Sequence, residues 1–120
     1  MHEMGIANSI IEAVHAEAGR YPGAEPRKVG VRIGELAALD PDALRFCFEA
    51  LTRETEFESL ELAIELCPRK QRCPSCGFEF NVTDYQLQCP QCGEDRTECI
   101  GGDELELAYL ELEEYESSTA

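Results

Sequence analysis

Apolar residues recur at helical spacing from the start of the chain. Ile6, Ala7, Ile10, Ile11, Val14 and Ala18 share one stripe, which predicts a helix over about residues 3–18. Gly19 ends it, and Tyr21-Pro22-Gly23 followed by Pro26 reads as a loop. The period then changes from helical to alternating: Val29, Val31 and Ile33 predict a short strand that stops near Gly34. Asp40-Pro41-Asp42 marks a second helix start, because Asp40 can cap free backbone N–H groups and Pro41 at the first helical position needs no donor of its own. Leu44, Cys47, Phe48 and Leu51 form its expected buried stripe.

Leu60, Leu62, Ile64 and Leu66 alternate with Glu61, Ala63 and Glu65, the pattern of a strand with one wet face. A third strand follows near the C-terminus. There Leu105 and Leu107 lie in one alternation phase and Leu110 and Leu112 in the other, so a β-bulge is expected near Ala108 and Tyr109. The acidic tail from Glu113 to Ala120 has little to bury and is expected to fray. Two strands joined by a helix pair in parallel through a right-handed crossover. The pattern therefore predicts an α/β fold: a three-stranded mixed sheet with two helices on one face, plus an inserted cysteine-rich module.

Charge and cysteine divide the chain in the same places. The 120 residues carry a net charge of -15 and 7 Cys but only 2 His. Residues 1–66 hold 6 basic and 13 acidic side chains, residues 67–99 hold 4 and 5, and residues 100–120 hold none and 7. Six of the seven cysteines fall in the nearly neutral middle stretch. This gives one α/β domain from residues 1–66 and 100–120, and a separate module at residues 67–99. Such an acidic chain repels phosphate backbones and anionic lipid surfaces, which argues against nucleic acid and membrane as partners. No apolar run approaches a spanning length and no signal-peptide layout is present, so the expected location is cytoplasmic. In a reducing compartment seven cysteines point to metal or redox chemistry rather than to disulfides.

The middle module carries the stronger motif. Cys73-Pro74-Ser75-Cys76-Gly77 and Cys89-Pro90-Gln91-Cys92-Gly93 leave 12 residues between Cys76 and Cys89. Each turn can set two sulfurs on one side, and the glycine lets the backbone fold back so that amides face the thiolates. Four soft anionic ligands in tetrahedral array make a structural Zn(II) site, with Cys73, Cys76, Cys89 and Cys92 as zinc ligands. Phe78-Glu79-Phe80-Asn81-Val82 alternates as a strand between them, which resembles a zinc ribbon. Iron in the same cage and a thioredoxin-type redox pair are the alternatives. A nucleic-acid-binding ribbon is a third, but Arg69, Lys70 and Arg72 form only a small basic cluster. Cys47 reads as a small core residue, and Cys67 and Cys99 as partly buried spectators.

A second, weaker metal signal lies at Met1-His2-Glu3. The bulk of His2 argues against removal of Met1, which leaves a free amine one residue from an imidazole. The Met1 amine, the His2 amide and imidazole nitrogens and Glu3 can close consecutive chelate rings, a nitrogen-rich set suited to Ni(II) or Cu(II). The plain reading is a solvated helix start, in which acidic Glu3 favours the helix dipole. His15 reads as a helix-surface residue.

Met1-His2-Glu3, Arg32-Ile33-Gly34-Glu35-Leu36, the run from Pro41 to Glu49, the paired Cys-Pro-x-Cys turns and Gly102-Asp103-Glu104-Leu105, taken in this order, resemble the HypA family of nickel metallochaperones. The resemblance covers about residues 1–113. It implies a non-enzymatic carrier of Ni(II) with structural Zn(II), acting with a HypB-type GTPase to deliver nickel to the large subunit of a nickel–iron hydrogenase; it leaves a homodimer open. Carried over residue by residue, it makes Met1, His2 and Glu3 the nickel ligands and Cys73, Cys76, Cys89 and Cys92 the zinc ligands. Asp40 matches an acidic position that approaches the N-terminus, and is read as a helix cap first and a nickel ligand second. Some relatives have His beside the cysteine turns; residues 67–99 here have none, so a histidine-based pH switch at the zinc cage is not expected. The alternative to the carrier is a zinc-stabilised protein-interaction module that transports no metal.

Overall fold

The computed structural model describes residues 3–114. The elements follow in the order α1 (Glu3–Ala18), β1 (Ala24–Gly34), a 3-10 turn (Glu35–Ala37), α2 (Pro41–Thr52), β2 (Glu61–Cys67), β3 (Lys70–Arg72), β4 (Glu79–Asn81), β5 (Glu98–Gly101) and β6 (Leu105–Glu114). They build two three-stranded sheets, ordered β2-β1-β6 and β4-β3-β5. The chain divides into two compact units. One holds residues 1–31, 39–65 and 106–120, and the other residues 32–38 and 66–105.

The first unit is the α/β body with its mixed sheet. The Gly34 N–H donates to the Glu104 carbonyl and the Leu36 N–H to the Gly102 carbonyl. An advance of two residues in one segment is thus matched by a retreat of two in the other, so β1 and β6 run antiparallel. The mixed sheet then leaves β1 and β2, joined through α2, as the parallel pair. Both helices lie on one face. Ala13, Glu17 and Tyr21 adjoin Leu107, Leu110 and Leu112 of β6, while Arg45 of α2 donates to the Leu62 carbonyl at 2.7 Å. The buried residues of this unit are Ala7, Ile10 and Val14 of α1, Leu44 and Phe48 of α2, and Val29 and Val31 of β1, together with Phe57, Leu60 and Leu62.

Leu107, Leu110 and Leu112 line one groove although they belong to opposite alternation phases, the side-chain arrangement for which an extra residue near Ala108 and Tyr109 was expected.

Several details depart from the sequence reading. β1 begins at Ala24, so Pro26 belongs to the strand rather than to the loop; it falls near the strand start, where a missing ladder donor costs least. Beside it Arg27 bridges Glu25 at 3.1 Å and Glu113 at 2.6 Å. That second pair holds Glu113 in β6, which continues through Glu114, so fraying does not begin at Glu113; residues 115–120 lie outside the described residues. The buried stripe of α2 is Leu44, Phe48 and Thr52, with Cys47 and Leu51 only half-buried. Thr52 tolerates burial because its hydroxyl donates to the Phe48 carbonyl at 2.9 Å. On β2, Leu66 is exposed and Cys67 buried, which ends the expected alternation at Ile64.

The second unit contains the antiparallel sheet β4-β3-β5, with Lys70 opposite Asn81 on one side and Gly101 on the other. Its one fully buried polar side chain among the described residues is Gln71, which donates to Thr97 Oγ1 at 3.0 Å and accepts from Arg69 Nε at 3.2 Å. At Gly34 a Cβ would stand 2.0 Å from the Gly102 carbonyl oxygen, whereas at Gly30 it would meet the Tyr109 ring at 2.1 Å. A ring can rotate aside and a backbone carbonyl cannot. Gly34→Ala should therefore lower stability by about 1–3 kcal/mol, and by more than Gly30→Ala. The midpoints of urea unfolding of the two variants check the order.

Candidate metal centre

The four cysteines predicted as ligands converge. Every Sγ of Cys73, Cys76, Cys89 and Cys92 lies within 4.8 Å of the other three, with Cys73 and Cys92 at 3.4 Å and Cys76 and Cys89 at 3.7 Å. Tetrahedral zinc with Zn–S bonds of about 2.3 Å needs sulfurs about 3.8 Å apart. The donor set fits the ion in number, spacing and softness.

The two turns are built alike. In the first, the Gly77 N–H donates to the Cys73 carbonyl at 2.8 Å and the Cys73 N–H to the Phe78 carbonyl at 2.9 Å. In the second, the Gly93 N–H donates to the Cys89 carbonyl and the Cys89 N–H to the Glu94 carbonyl, each at 2.9 Å. Closing so tight a loop requires a left-handed residue after the second cysteine, and Gly77 and Gly93 have φ of 78° and 82°. Each turn buries its first cysteine and exposes its second.

The sulfurs do not ionise alike. Burial pushes the Cys89 thiol up, but the N–H groups of Cys92 and Gln91 and the thiols of Cys76 and Cys92 outweigh it and hold Cys89 down to about 7. At Cys92 the Glu94 N–H lowers the value, yet the Cys73 thiol, burial and the remaining two thiols push it up to about 12. Cys76 is also raised: the Phe78 N–H favours its thiolate, but burial and the Cys89 and Cys73 thiols oppose it. One thiolate forms readily at neutral pH and the gathered sulfurs resist the next. A dication at their centre removes that resistance, because it stabilises every added negative charge.

The sequence reading missed the contact that ties the turns together. Ser75 of the first turn donates its hydroxyl to the Glu94 carboxylate of the second at 3.1 Å. The Arg96 N–H donates to the other Glu94 oxygen at 3.1 Å, and this bond and Ser75 hold the carboxyl below its ordinary value. The signal was present in Ser75 and Glu94 adjoining the motifs, but 19 positions separate them. Of the other cysteines, Cys47 is half-buried and Cys67 buried. Cys99 is exposed rather than partly buried, with its Sγ 3.3 Å from the Gly101 carbonyl. In the small basic cluster, Arg72 pairs with Glu98 at 3.0 Å.

Of the second candidate set, Met1 and His2 lie outside the described residues. Glu3 opens α1, and its carboxylate accepts the backbone N–H of Asp40 at 3.2 Å. That bond, together with the N–H of Glu3 itself, holds the Glu3 carboxyl below its ordinary value. Asp40 caps α2 as expected: its Oδ1 accepts from the Asp42 and Ala43 N–H groups at 3.0 and 3.4 Å. Chain folding thus joins the start of α1 to the start of α2 across 37 positions. His15 is exposed, with Nδ1 3.8 Å from a Glu56 oxygen and its ring edge-on to Phe57.

Comparison with known proteins points the same way. Residues 1–112 match the family model described as "Hydrogenase/urease nickel incorporation, metallochaperone, hypA". The "Hydrogenase maturation factor HypA" of Geobacter metallireducens is 42% identical over 113 residues, which cover 94% of this chain and all of that protein. The factor of the same name from Geotalea uraniireducens is 39% identical over the same shares. Among solved structures, the nickel metallochaperone HypA of Helicobacter pylori shares the fold with a TM-score of 0.64 at 24% identity, over 95% of this chain and 99% of that one. A second solution structure of a HypA protein gives 0.67 at 26% identity, over 93% and 96%. With its mixed α/β sheet, its four-cysteine ribbon and a match that runs through both, the chain belongs to the HypA family of hydrogenase-maturation nickel metallochaperones.

Proposed function

We propose that the protein is a nickel carrier which binds Ni(II) at the start of the chain, through the Met1 amine, the His2 nitrogens and Glu3, and delivers it during nickel–iron hydrogenase maturation. The observation that carries this reading is the Asp40 N–H bond to Glu3. It supports the reading by setting the Glu3 carboxylate against the backbone of Asp40, itself an acidic residue. Asp40 spends Oδ1 on capping α2, so its role at nickel is secondary to its role as a cap.

The two metal sites are suited to different tasks. A site made from a chain-terminal amine and one imidazole can be dismantled ligand by ligand as a receiving protein supplies its own donors. Four thiolates gathered from two rigid turns release an ion only when the turns come apart, so Zn(II) in Cys73, Cys76, Cys89 and Cys92 is structural and Ni(II) is cargo. The expected partners are a HypB-type GTPase and the hydrogenase large subunit, in the cytoplasm. Among the described residues no helix is long and apolar enough to cross a membrane.

Extension of the chain ahead of Met1 converts the terminal amine into an amide. It is expected to abolish nickel binding while leaving one zinc per chain; calorimetric nickel titration with elemental analysis reads both. The His2→Ala variant should lose nickel equally. Unchanged binding in either protein would overturn the assignment and favour a zinc-stabilised interaction module.

A further inference from the structure

The outer edge of the three-stranded sheet takes no part in either metal site. β6 has β1 on one side and, among the described residues, no strand on the other. A free edge presents a row of unpaired N–H and C=O groups, which proteins commonly blunt with lysine, proline or short length. β6 has ten residues and contains neither lysine nor proline. Leu107 and Tyr109 are 40% and 44% exposed. Leu107, Leu110 and Leu112 also line an open groove whose other wall is Ala13, Glu17 and Tyr21.

Acids outnumber bases around this edge. Glu106, Glu111, Glu113 and Glu114 lie on the strand, and residues 100–120 include no basic side chain. Arg27 engages Glu113 from β1, and Glu17 adds another acid at the groove.

We propose that β6 is a docking edge for an extended segment of another protein in which Lys or Arg alternates with apolar residues. The segment adds as a fourth strand. Its main chain pairs with the free edge, its apolar side chains cover the leucine groove, and its bases meet Glu111 and Glu114. A second copy of this chain does not suit the site, since pairing β6 with β6 joins two acidic strands without a base between them. Residues 115–120 also lack a base and cannot complement the edge.

The test uses the full-length, zinc-loaded protein and a fluorescent ten-residue peptide alternating Lys and Val. The peptide should bind and slow amide hydrogen exchange across residues 106–114. The same peptide N-methylated at alternate amides keeps its charge but cannot add as a strand, and it should fail to bind, as should a Glu–Val peptide. The double variant Glu111→Lys/Glu114→Lys, both on the exposed strand, should weaken binding about tenfold with zinc content unchanged. Equal binding of the methylated peptide would show that charge alone attracts it, and would overturn the proposal. So would protection confined to other elements, or a dimer paired through β6 in the absence of peptide.

Discussion

Cys89→Ser is expected to remove the metal from the ribbon and to unfold residues 66–105 while the α/β unit keeps its structure. The reason begins with how little apolar surface the ribbon buries. Its buried residues include Cys67, Cys73, Cys89 and Gln71, and three of these are sulfurs while the fourth is an amide. No aliphatic or aromatic side chain between Arg69 and Leu105 is fully buried; Phe78 is exposed and stacks on half-buried Phe80. A module of this size without a core relies on ligation, which in structural zinc sites is worth about 10–16 kcal/mol. Cys89 is a buried member of the cage, and although burial pushes its thiol up, the N–H groups of Cys92 and Gln91 help to hold it down to about 7. A serine hydroxyl there offers neither the charge nor the softness. Elemental analysis should find less than one zinc per chain, and amide exchange in β3, β4 and β5 should become fast. Cys99→Ser is the matched control: Cys99 is exposed and outside the cage, so zinc should stay and stability should move by no more than about 0.5 kcal/mol. Retention of zinc by Cys89→Ser would mean that three thiolates and a water suffice.

The parts of this molecule that could be read from sequence are those whose cause is local. The bounds of α1 follow from a 3.6-residue stripe that stops at Gly19, and the start of α2 from Asp40 beside Pro41. The cage was legible because each pair of ligands is a closed turn with its own glycine, so only the meeting of two turns was left to the fold. Strands β3 and β5 were not foreseen. They have three and four residues, too few for alternation to show, and pairing with each other and with β4 rather than internal pattern makes them strands. Thr52 was missed because a hydroxyl looks polar until its bond to the Phe48 carbonyl is known. The Glu3–Asp40 and Ser75–Glu94 bonds were invisible for a related reason: each joins side chains and amides whose separation along the chain carries no period. These contacts belong to the tertiary level, and they are the ones that position acids around the proposed nickel site and lock the two cysteine turns.

The α/β unit should fail in the opposite way from the ribbon. Phe48 is 2% exposed and among the largest fully buried side chains. It lies one helical turn from both Leu44 and Thr52, and it shares one wall with Leu60 and Leu62. Truncation to alanine leaves a void that this small core cannot close, because helix α2 is fixed at its start by the Asp40 cap and further along by the Arg45 bond to β2. The expected loss is about 3–5 kcal/mol, about a fifth or more of the total stability of a domain with about 5–15 kcal/mol. In urea the transition of α1 and α2, followed by far-ultraviolet circular dichroism, should move to markedly lower concentration. Zinc should remain at one per chain, since none of the four ligands lies on α2. Nickel binding should weaken even so, because unfolding α2 separates Asp40 from Glu3. A Phe48→Ala protein that lost zinc in the same transition would show that the ribbon takes its stability from the α/β unit rather than from its metal. Cys89→Ser and Phe48→Ala measured together therefore separate a unit held by ligation from one held by packing.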